Sequence, residues 1–378
     1  MPPFLLIAQP ALARDRWQVG SAATEAFQSG DYGAALAALR NELEQCEKAK
    51  PRADECVGLL LALSNVAASN GDAEAAEAYA RRALKLAEHT LPDGHPDIAT
   101  SIAHIAMHRS AQMQLAEAEA LHRKALALRE AALPVGHPSI IQSYHNLGRN
   151  LTAQERHAEA EILYRKILLL RKAAHPVEHL GVAQAYDSLA LNLNAQRRFG
   201  EAEPLLRHAL LLHEAELPVG HPYIAMSLHN LAFNLNDQRR YAEAEPLLRR
   251  ALALQEAVLP AGHQSIALVL HSLAFNLNAQ SQYEEAEPLY RRVLAMRSTL
   301  NIEDPRRIDA SWGMAVFIQQ RYPESSATWF FYREAERGAL ARVRSFAAFD
   351  RAAQHEIRKY RPVFTGIIRV AWELSAGR

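Results

Sequence analysis

The sequence has no excess of charge, since its 42 lysines and arginines are matched by 42 aspartates and glutamates. Phosphate binding needs a basic excess or a basic stripe, so nucleic acid is not expected as a partner. Long apolar runs are also absent, and none reaches the roughly 18 residues that a membrane-spanning helix needs. The composition therefore predicts a protein that neither binds nucleic acid nor spans a membrane.

Motifs typical of catalytic or cofactor-binding sites are also missing from the sequence. The sequence contains no Gly-rich phosphate loop and no Cys-x-x-Cys pair. No nucleophile stands out together with a base and a residue to orient that base. We therefore expect neither an enzyme nor a bound cofactor.

A repeat of 42 residues dominates what the sequence does contain. A histidine marks the same point of each repeat, at His95, His137, His179, His221 and His263. Self-similarity of this period indicates a solenoid, in which each repeat buries its apolar face against its neighbours. Consecutive histidines lie one repeat apart, too far to converge within the ~2 Å that a zinc ion requires. They are therefore predicted to begin helices and satisfy backbone groups, with no metal bound.

Each repeat predicts two helices. In the repeat that begins at His221, Leu228 and Leu231 belong to an apolar stripe at helical spacing. Residues 238–241 form a short polar break, after which a second helix runs to the Pro- and Gly-containing stop at residues 259–262.

The apolar pattern of these helices resembles the tetratricopeptide repeat. It consists of Leu231-Ala232-x-x-Leu235 followed by Tyr241, Ala244, Leu248 and Ala251. The period is longer than the about 34 residues usual for that family. The connector Leu-Pro-x-Gly-His-Pro and the motif Tyr-x-Glu-Ala-Glu-Pro-Leu are similar to the kinesin-light-chain type of the repeat, which is widespread in bacterial proteins.

The resemblance implies an all-α fold, a right-handed α/α superhelical solenoid of about seven to eight helical hairpins with a C-terminal capping helix. The repeat array is expected at residues 14–300, with regular units from residue 95. Residues 301–378 are expected to hold a degenerate repeat and the capping helix, because aromatic residues are concentrated there and a solenoid must seal its end.

Residues 1–13 and the two cysteines bear on the cellular compartment. The segment MPPFLLIAQPALA has a short apolar run and an Ala-Leu-Ala motif but no basic region, so a truncated signal peptide and an ordinary N-terminus are both open. Cys46 and Cys56 flank Pro51 in the turn between two antiparallel helices, which makes a disulfide geometrically possible. A disulfide would favour export to a periplasm, the expected location, over the cytoplasm, the alternative.

The residues expected to bind a partner lie on the first helices of the repeats. In the tetratricopeptide scaffold this face lines a concave groove, so the resemblance implies a site for a peptide or a partner protein. Opposite the core stripe, a helical wheel places His145, Asn146, Arg149, Asp187, Ser188, Leu191, Met226, His229, Asn230, Phe233, Asp237, Leu268, His271, Ser272 and Phe275. Asn and Ser can bond to an extended peptide backbone, and Phe, Leu and Met offer apolar contacts, so the expected ligand is an internal, partly apolar segment.

A column of asparagines lies at the edge of this face, at Asn150, Asn192, Asn234 and Asn276. Two roles are open for it, a structural ladder that holds neighbouring repeats in register or contact with the ligand. The histidines at 145, 229 and 271 are either solvated residues of the groove or groups that make binding sensitive to pH.

The sequence therefore predicts a non-enzymatic protein–protein interaction scaffold that binds an extended segment of a partner in its groove. The alternative is a recognition module for a separately encoded caspase-like (CHAT-type) peptidase. It rests on residues 341–364, which resemble the segment that links such repeats to peptidase domains in some bacterial proteins.

Overall fold

The computed structural model of the chain describes residues 20–49, 53–174, 180–323, 325–346 and 351–375. The predicted signal segment at residues 1–13 and His179 lie outside the described residues. Within these ranges all regular structure is helical, in 17 α-helices, which confirms the all-α fold class. The chain divides into an N-terminal unit, Pro3–Ala174, and a C-terminal unit, His175–Arg378. The array boundaries at residues 14–300 and 301–378, and the handedness of the solenoid, stay predictions.

The N-terminal unit is built from helices that pack each against the next in the chain. Its described helices are α1 (Ser21–Gln28), α2 (Tyr32–Ala49), α3 (Ala53–Ser69), α4 (Ala73–Thr90), α5 (Pro96–Ala111), α6 (Leu115–Ala132), α7 (Pro138–Ala153) and α8 (His157–Ala174). Cys46 in α2 and Cys56 in α3 are joined by a disulfide, with their Cα atoms 5.8 Å apart. The cellular location stays a prediction.

The C-terminal unit continues the same alternation of first and second helices. Its described helices are α9 (Leu180–Ala195), α10 (Phe199–Glu216), α11 (Pro222–Asp237), α12 (Tyr241–Val258), α13 (Gln264–Ala279), α14 (Tyr283–Arg297), α15 (Pro305–Arg321), α16 (Ala327–Arg344) and α17 (Arg351–Ser375).

The recurring histidine begins the first helix of the regular repeats. Nδ1 of His95, His137, His221 and His263 accepts a hydrogen bond from the backbone N–H two residues further on, at 3.1–3.2 Å. A proline at the first helical position follows three of them, where a missing N–H costs least. These histidines thus cap helices, as the sequence predicts.

The turn inside each regular repeat holds one residue in the left-handed region. Arg239 has φ 62°, and the N–H of Arg240 reaches the carbonyl of Leu235 at 2.9 Å, which closes the end of α11. The equivalent residues Met113, Glu155, Arg197 and Ser281 share this conformation. In the irregular hairpins near the N-terminus, Gly30 and Gly71 supply the positive φ instead.

Small residues allow the paired helices to approach closely. Ala232 of α11 and Ala244 and Ala251 of α12 are fully buried, and Leu228 and Leu248 fill the space around them. A leucine at Ala232 would overpack this interface, at a cost of about 1–3 kcal/mol.

The long helix α17 covers the end of the hairpin that α15 and α16 form. Tyr360 and Val363 pack against Ala335 and Ala339 of α16. At Gly366 an added Cβ would lie 2.2 Å from the Tyr332 ring, so only glycine permits this approach of α17 to α16. Tyr332 and Tyr360 therefore pack where the next repeat would otherwise continue the core.

Candidate functional site

Five large apolar side chains at two repeat positions of the first helices α9, α11 and α13 remain exposed or partly exposed. Helix α11 packs mainly against the second helices α12 and α10 and also contacts α9 and α13, so most of its surface is buried between neighbours. The first-helix strip consists of Leu191, Met226, Phe233, Leu268 and Phe275. Phe275 is the most accessible of them, at 47% exposed, and its ring meets the edge of Tyr241 at 6.5 Å between centroids.

Four residues that the sequence assigns to the groove are instead buried. Asn146, Asp187, His229 and Asn230 are between 2% and 9% exposed. The helical wheel assigns them to solvent because it treats one face as covered. A first helix such as α11 is instead covered by its own second helix, by the second helix of the preceding repeat and by the first helices on either side. These residues bond inside the protein; the His229 Nε2 lies 2.8 Å from the Ser272 Oγ of the next repeat.

The other predicted residues lie at or near the surface. Arg149 and Asp237 are exposed, and His145, Ser188, His271 and Ser272 are partly exposed. The rings of His145 and His271 stand edge-on to Tyr164 and Tyr290, each with centroids 6.1 Å apart. Arg149, His145 and Asn146 belong to the N-terminal unit, where exposed Met107 stands at the repeat position equivalent to Phe233 and Phe275.

Burial keeps the predicted groove histidines neutral near pH 7. It lowers the pKa of His145 and His229 to about 4 and that of His271 to about 3. An imidazole that stays neutral in this range has no charge to switch near neutral pH. The part that these histidines play in binding stays a prediction.

The asparagine column forms hydrogen bonds between neighbouring repeats. Asn234 Nδ2 donates to Asn194 Oδ1 at 2.7 Å and to the Phe199 carbonyl at 3.0 Å. Asn276 repeats this geometry one unit on, with Asn236 at 2.6 Å and the Tyr241 carbonyl at 2.9 Å.

The remaining members of the column are bonded as well. Asn150 donates to Ser110 at 3.1 Å, and Asn192 accepts from Gln196 at 2.9 Å. All four column residues are at most 3% exposed, so their geometry is that of a ladder and leaves no surface for a ligand.

Asp187, His213 and Ser227 form a buried polar cluster that the sequence did not reveal as a unit. Ser227 Oγ donates to Asp187 Oδ2 at 3.3 Å and lies 2.8 Å from Nδ1 of His213. Burial raises the pKa of Asp187 to about 7 and lowers that of His213 to about 4. All three side chains are at most 5% exposed, so the Ser227 hydroxyl is closed to a substrate and the cluster fits a structural role in the interior.

The second helices carry ion pairs that link repeats. Glu203 accepts from Arg207 at 2.7 Å and also from Arg240 and Gln238 of the following repeat, at 2.6 and 3.0 Å. The sequence shows the pairs within a helix but not these contacts between repeats, because they join residues about 35 positions apart.

The part of the chain that the structure describes has neither a candidate metal site nor a helix suited to span a membrane. It contains no group of three or more His, Cys, Asp and Glu side chains placed to hold a metal ion. None of its helices is both long enough and apolar enough to cross a bilayer.

Several solved structures share this fold. A Rap protein complexed with competence and sporulation factor is 12% identical, with a TM-score of 0.58 over 94% of this chain and 97% of its own. BtubC (BKLC) from P. vanneervenii is 21% identical, with a TM-score of 0.50 over 61% of this chain and 90% of its own. A Podosopora anserina putative kinesin light chain with TPR-like repeats is 27% identical, with a TM-score of 0.47 over 55% of this chain and 99% of its own. No curated protein matches the sequence.

The family model described as tetratricopeptide repeat matches residues 97–173, 139–215 and 223–299, and a second model with that description matches residues 58–97. The first model alone covers more than half of the 378 residues. The chain therefore belongs to the tetratricopeptide repeat family.

Proposed function

We propose that the protein is a non-enzymatic scaffold whose first-helix strip binds an extended, partly apolar segment of a partner protein. The observation that carries the proposal is the exposure of Phe275, which stands at the same repeat position as Phe233 and Leu191. Large apolar side chains that recur at one repeat position and keep contact with solvent, fully at Phe275 and partly at Phe233 and Leu191, are typical of a binding surface.

The repeat geometry predicts the spacing of the ligand. Neighbouring packed helices lie about 10 Å apart, and an extended peptide rises about 3.3 Å per residue. Successive positions of the strip would therefore meet about every third residue of the ligand. Exposed Gln184 and Asp237 and partly exposed Ser272 flank the strip and offer hydrogen bonds to the peptide backbone.

The proposal is tested by selecting random 12-mer peptides, displayed on phage, against the whole protein. Selected peptides should carry apolar residues at about every third position. The Phe233→Ala and Phe275→Ala double variant should weaken their binding by at least about tenfold, because aromatic anchors dominate such interfaces.

Leu211→Ala is the matched control, because Leu211 is 62% exposed but lies on the second helix α10. It should bind the selected peptides as the wild type does. Equal binding by the double phenylalanine variant, with helicity unchanged, would contradict the proposal.

A further inference from the structure

Among the side chains that the structure describes, the last helical hairpin, α16 with α17, exposes charge of one sign only. The exposed ionisable side chains within residues 327–346 and 353–372 are all arginines: Arg333, Arg337, Arg344, Arg358, Arg361 and Arg369. The glutamates whose side chains are described in this hairpin are Glu334, Glu336 and Glu356, and none is in the exposed class. They pair with Arg307, Arg333 and Arg342 at 2.9–3.0 Å. These three described carboxylates are thus each paired with an arginine.

The arginines of the repeats differ from those of the last hairpin because they have carboxylate partners. On their second helices an arginine pairs with the glutamate four residues before it, as in Arg165–Glu161, Arg207–Glu203 and Arg249–Glu245, at 2.7–2.9 Å. In the last hairpin Arg337, Arg344, Arg361 and Arg369 have no ion pair with any described residue. A guanidinium without a carboxylate partner is available to an external anion, and its planar fork suits phosphate.

Large apolar side chains protrude among these arginines. Phe330 and Trp372 are each 61% exposed, Ile368 is 68% exposed, and Leu340 is 38% exposed. In α16 the exposed residues 330, 333, 337, 340 and 344 lie along one face, and in α17 residues 358, 361, 365, 368 and 372 have the same spacing. Each helix therefore presents a face that combines cations with apolar side chains.

The contacts between the antiparallel helices α16 and α17 show which of the protruding residues lie at the same end of the hairpin. Arg342 pairs with Glu356 at 2.9 Å, which brings the end of α16 to the start of α17. At the opposite end Tyr332 packs against Ile367 and Val370. Phe330 thus lies at the same end of the hairpin as Ile368 and Trp372.

We propose that this end of the hairpin is a peripheral binding surface for an anionic lipid bilayer. Trp372, Ile368 and Phe330 enter the interface at the level of the head groups, and Arg361 and Arg369 contact lipid phosphates. The protrusion of the apolar side chains favours a bilayer over a folded protein partner, since a bilayer accepts them without a complementary pocket. The association is peripheral, because no described helix could span the membrane.

The experiment is co-sedimentation of the full chain with vesicles of phosphatidylcholine containing roughly 30% phosphatidylglycerol, compared with pure phosphatidylcholine. The wild type should bind only the anionic vesicles. Arg361→Gln with Arg369→Gln should lower the partition coefficient about 25-fold, or about fivefold per arginine. Ile368→Ser with Trp372→Ser should lower it by at least about tenfold.

A second measurement reports insertion. Brominated phosphatidylglycerol should quench tryptophan fluorescence in the wild type, and Trp372→Phe should lose most of this quenching while still binding. Arg207→Gln with Arg249→Gln is the matched control, because it removes two arginines from the repeats, and it should bind like the wild type.

Three results would overturn the proposal. The first is equal binding to neutral and anionic vesicles, and the second is wild-type binding by both the arginine and the Ile368/Trp372 variants. In the third, the protein does not bind vesicles but binds inorganic phosphate, a single-stranded oligonucleotide or a polyglutamate peptide, and that binding depends on Arg361 and Arg369. Circular dichroism of each variant separates loss of binding from loss of fold.

Discussion

At the scale of single residues, the burial of histidine side chains makes the stability of the folded protein depend on pH. His229 of α11 is 2% exposed, and burial lowers the pKa of its imidazole to about 4. In the unfolded chain an imidazole has a pKa of about 6.5, so below this pH it binds a proton that His229 does not bind in the folded chain. The folded state therefore loses stability as the pH falls from about 6.5 towards 4.

We expect His229 alone to cost the folded state on the order of 2 kcal/mol between pH 7 and pH 5. The variant His229→Gln can still reach Ser272 with its amide but has no proton to gain. Urea unfolding at both pH values should show a smaller loss of stability for His229→Gln than for the wild type. Identical pH dependence of the two proteins would contradict this account.

The same residue shows the limit of reading the site from sequence. Leu228, Leu231 and Phe233 follow helical periodicity, and the structure has the two leucines buried and the phenylalanine partly exposed. His229 and Asn230 are polar and fall on the uncovered half of a helical wheel, yet both are buried against neighbouring repeats. Periodicity reports one covered face, whereas packing on three sides depends on helices 42 residues away in sequence.

At the scale of an element, the turn between the helices of a repeat contains a residue under backbone strain. Arg239 has φ 62°, a conformation that costs a residue with a Cβ about 1 kcal/mol or more. The sequence could predict that a break lies at residues 238–241, but an arginine in this position carries no signal for a positive φ.

Replacing Arg239 with glycine should therefore stabilise the protein by about 0.5–1 kcal/mol, after the greater entropy of glycine in the unfolded chain is offset. Arg239→Val should destabilise it, because a β-branched residue tolerates positive φ least. Thermal unfolding of the two variants beside the wild type measures both effects. An equal shift of both variants in one direction would rule out backbone strain as the cause.

At the scale of the whole molecule, the division into two compact units falls at an irregular connector of the repeat array. The units meet in sequence between Ala174 and His175. In the connector that follows, Leu180 stands where three of the other four repeats have proline, and no glycine precedes His179. The sequence shows this irregular connector. It does not show that the chain divides into two compact units at this point, because that division depends on contacts among helices that are distant in sequence.

The disulfide belongs to the N-terminal unit alone. It closes a loop between positions separated by 10 residues, and the loss of such a constraint costs roughly 2–3 kcal/mol. Reduction, or Cys46→Ala with Cys56→Ala, should raise hydrogen exchange in α2 and α3 and leave α12 unchanged. Unchanged exchange in α2 and α3 after complete reduction would show that the cross-link adds nothing to local stability.

The asparagine ladder has a consequence for how such chains can lengthen and shorten. Asn234 meets Asn194, and Asn276 meets Asn236, through the same donor and acceptor atoms. Excision of one whole 42-residue module, such as residues 222–263, would bring Asn276 opposite Asn194 with every rung still matched. Gain or loss of a complete module thus preserves the joints between modules, whereas an indel of any other length leaves amides in the interior facing the wrong neighbours.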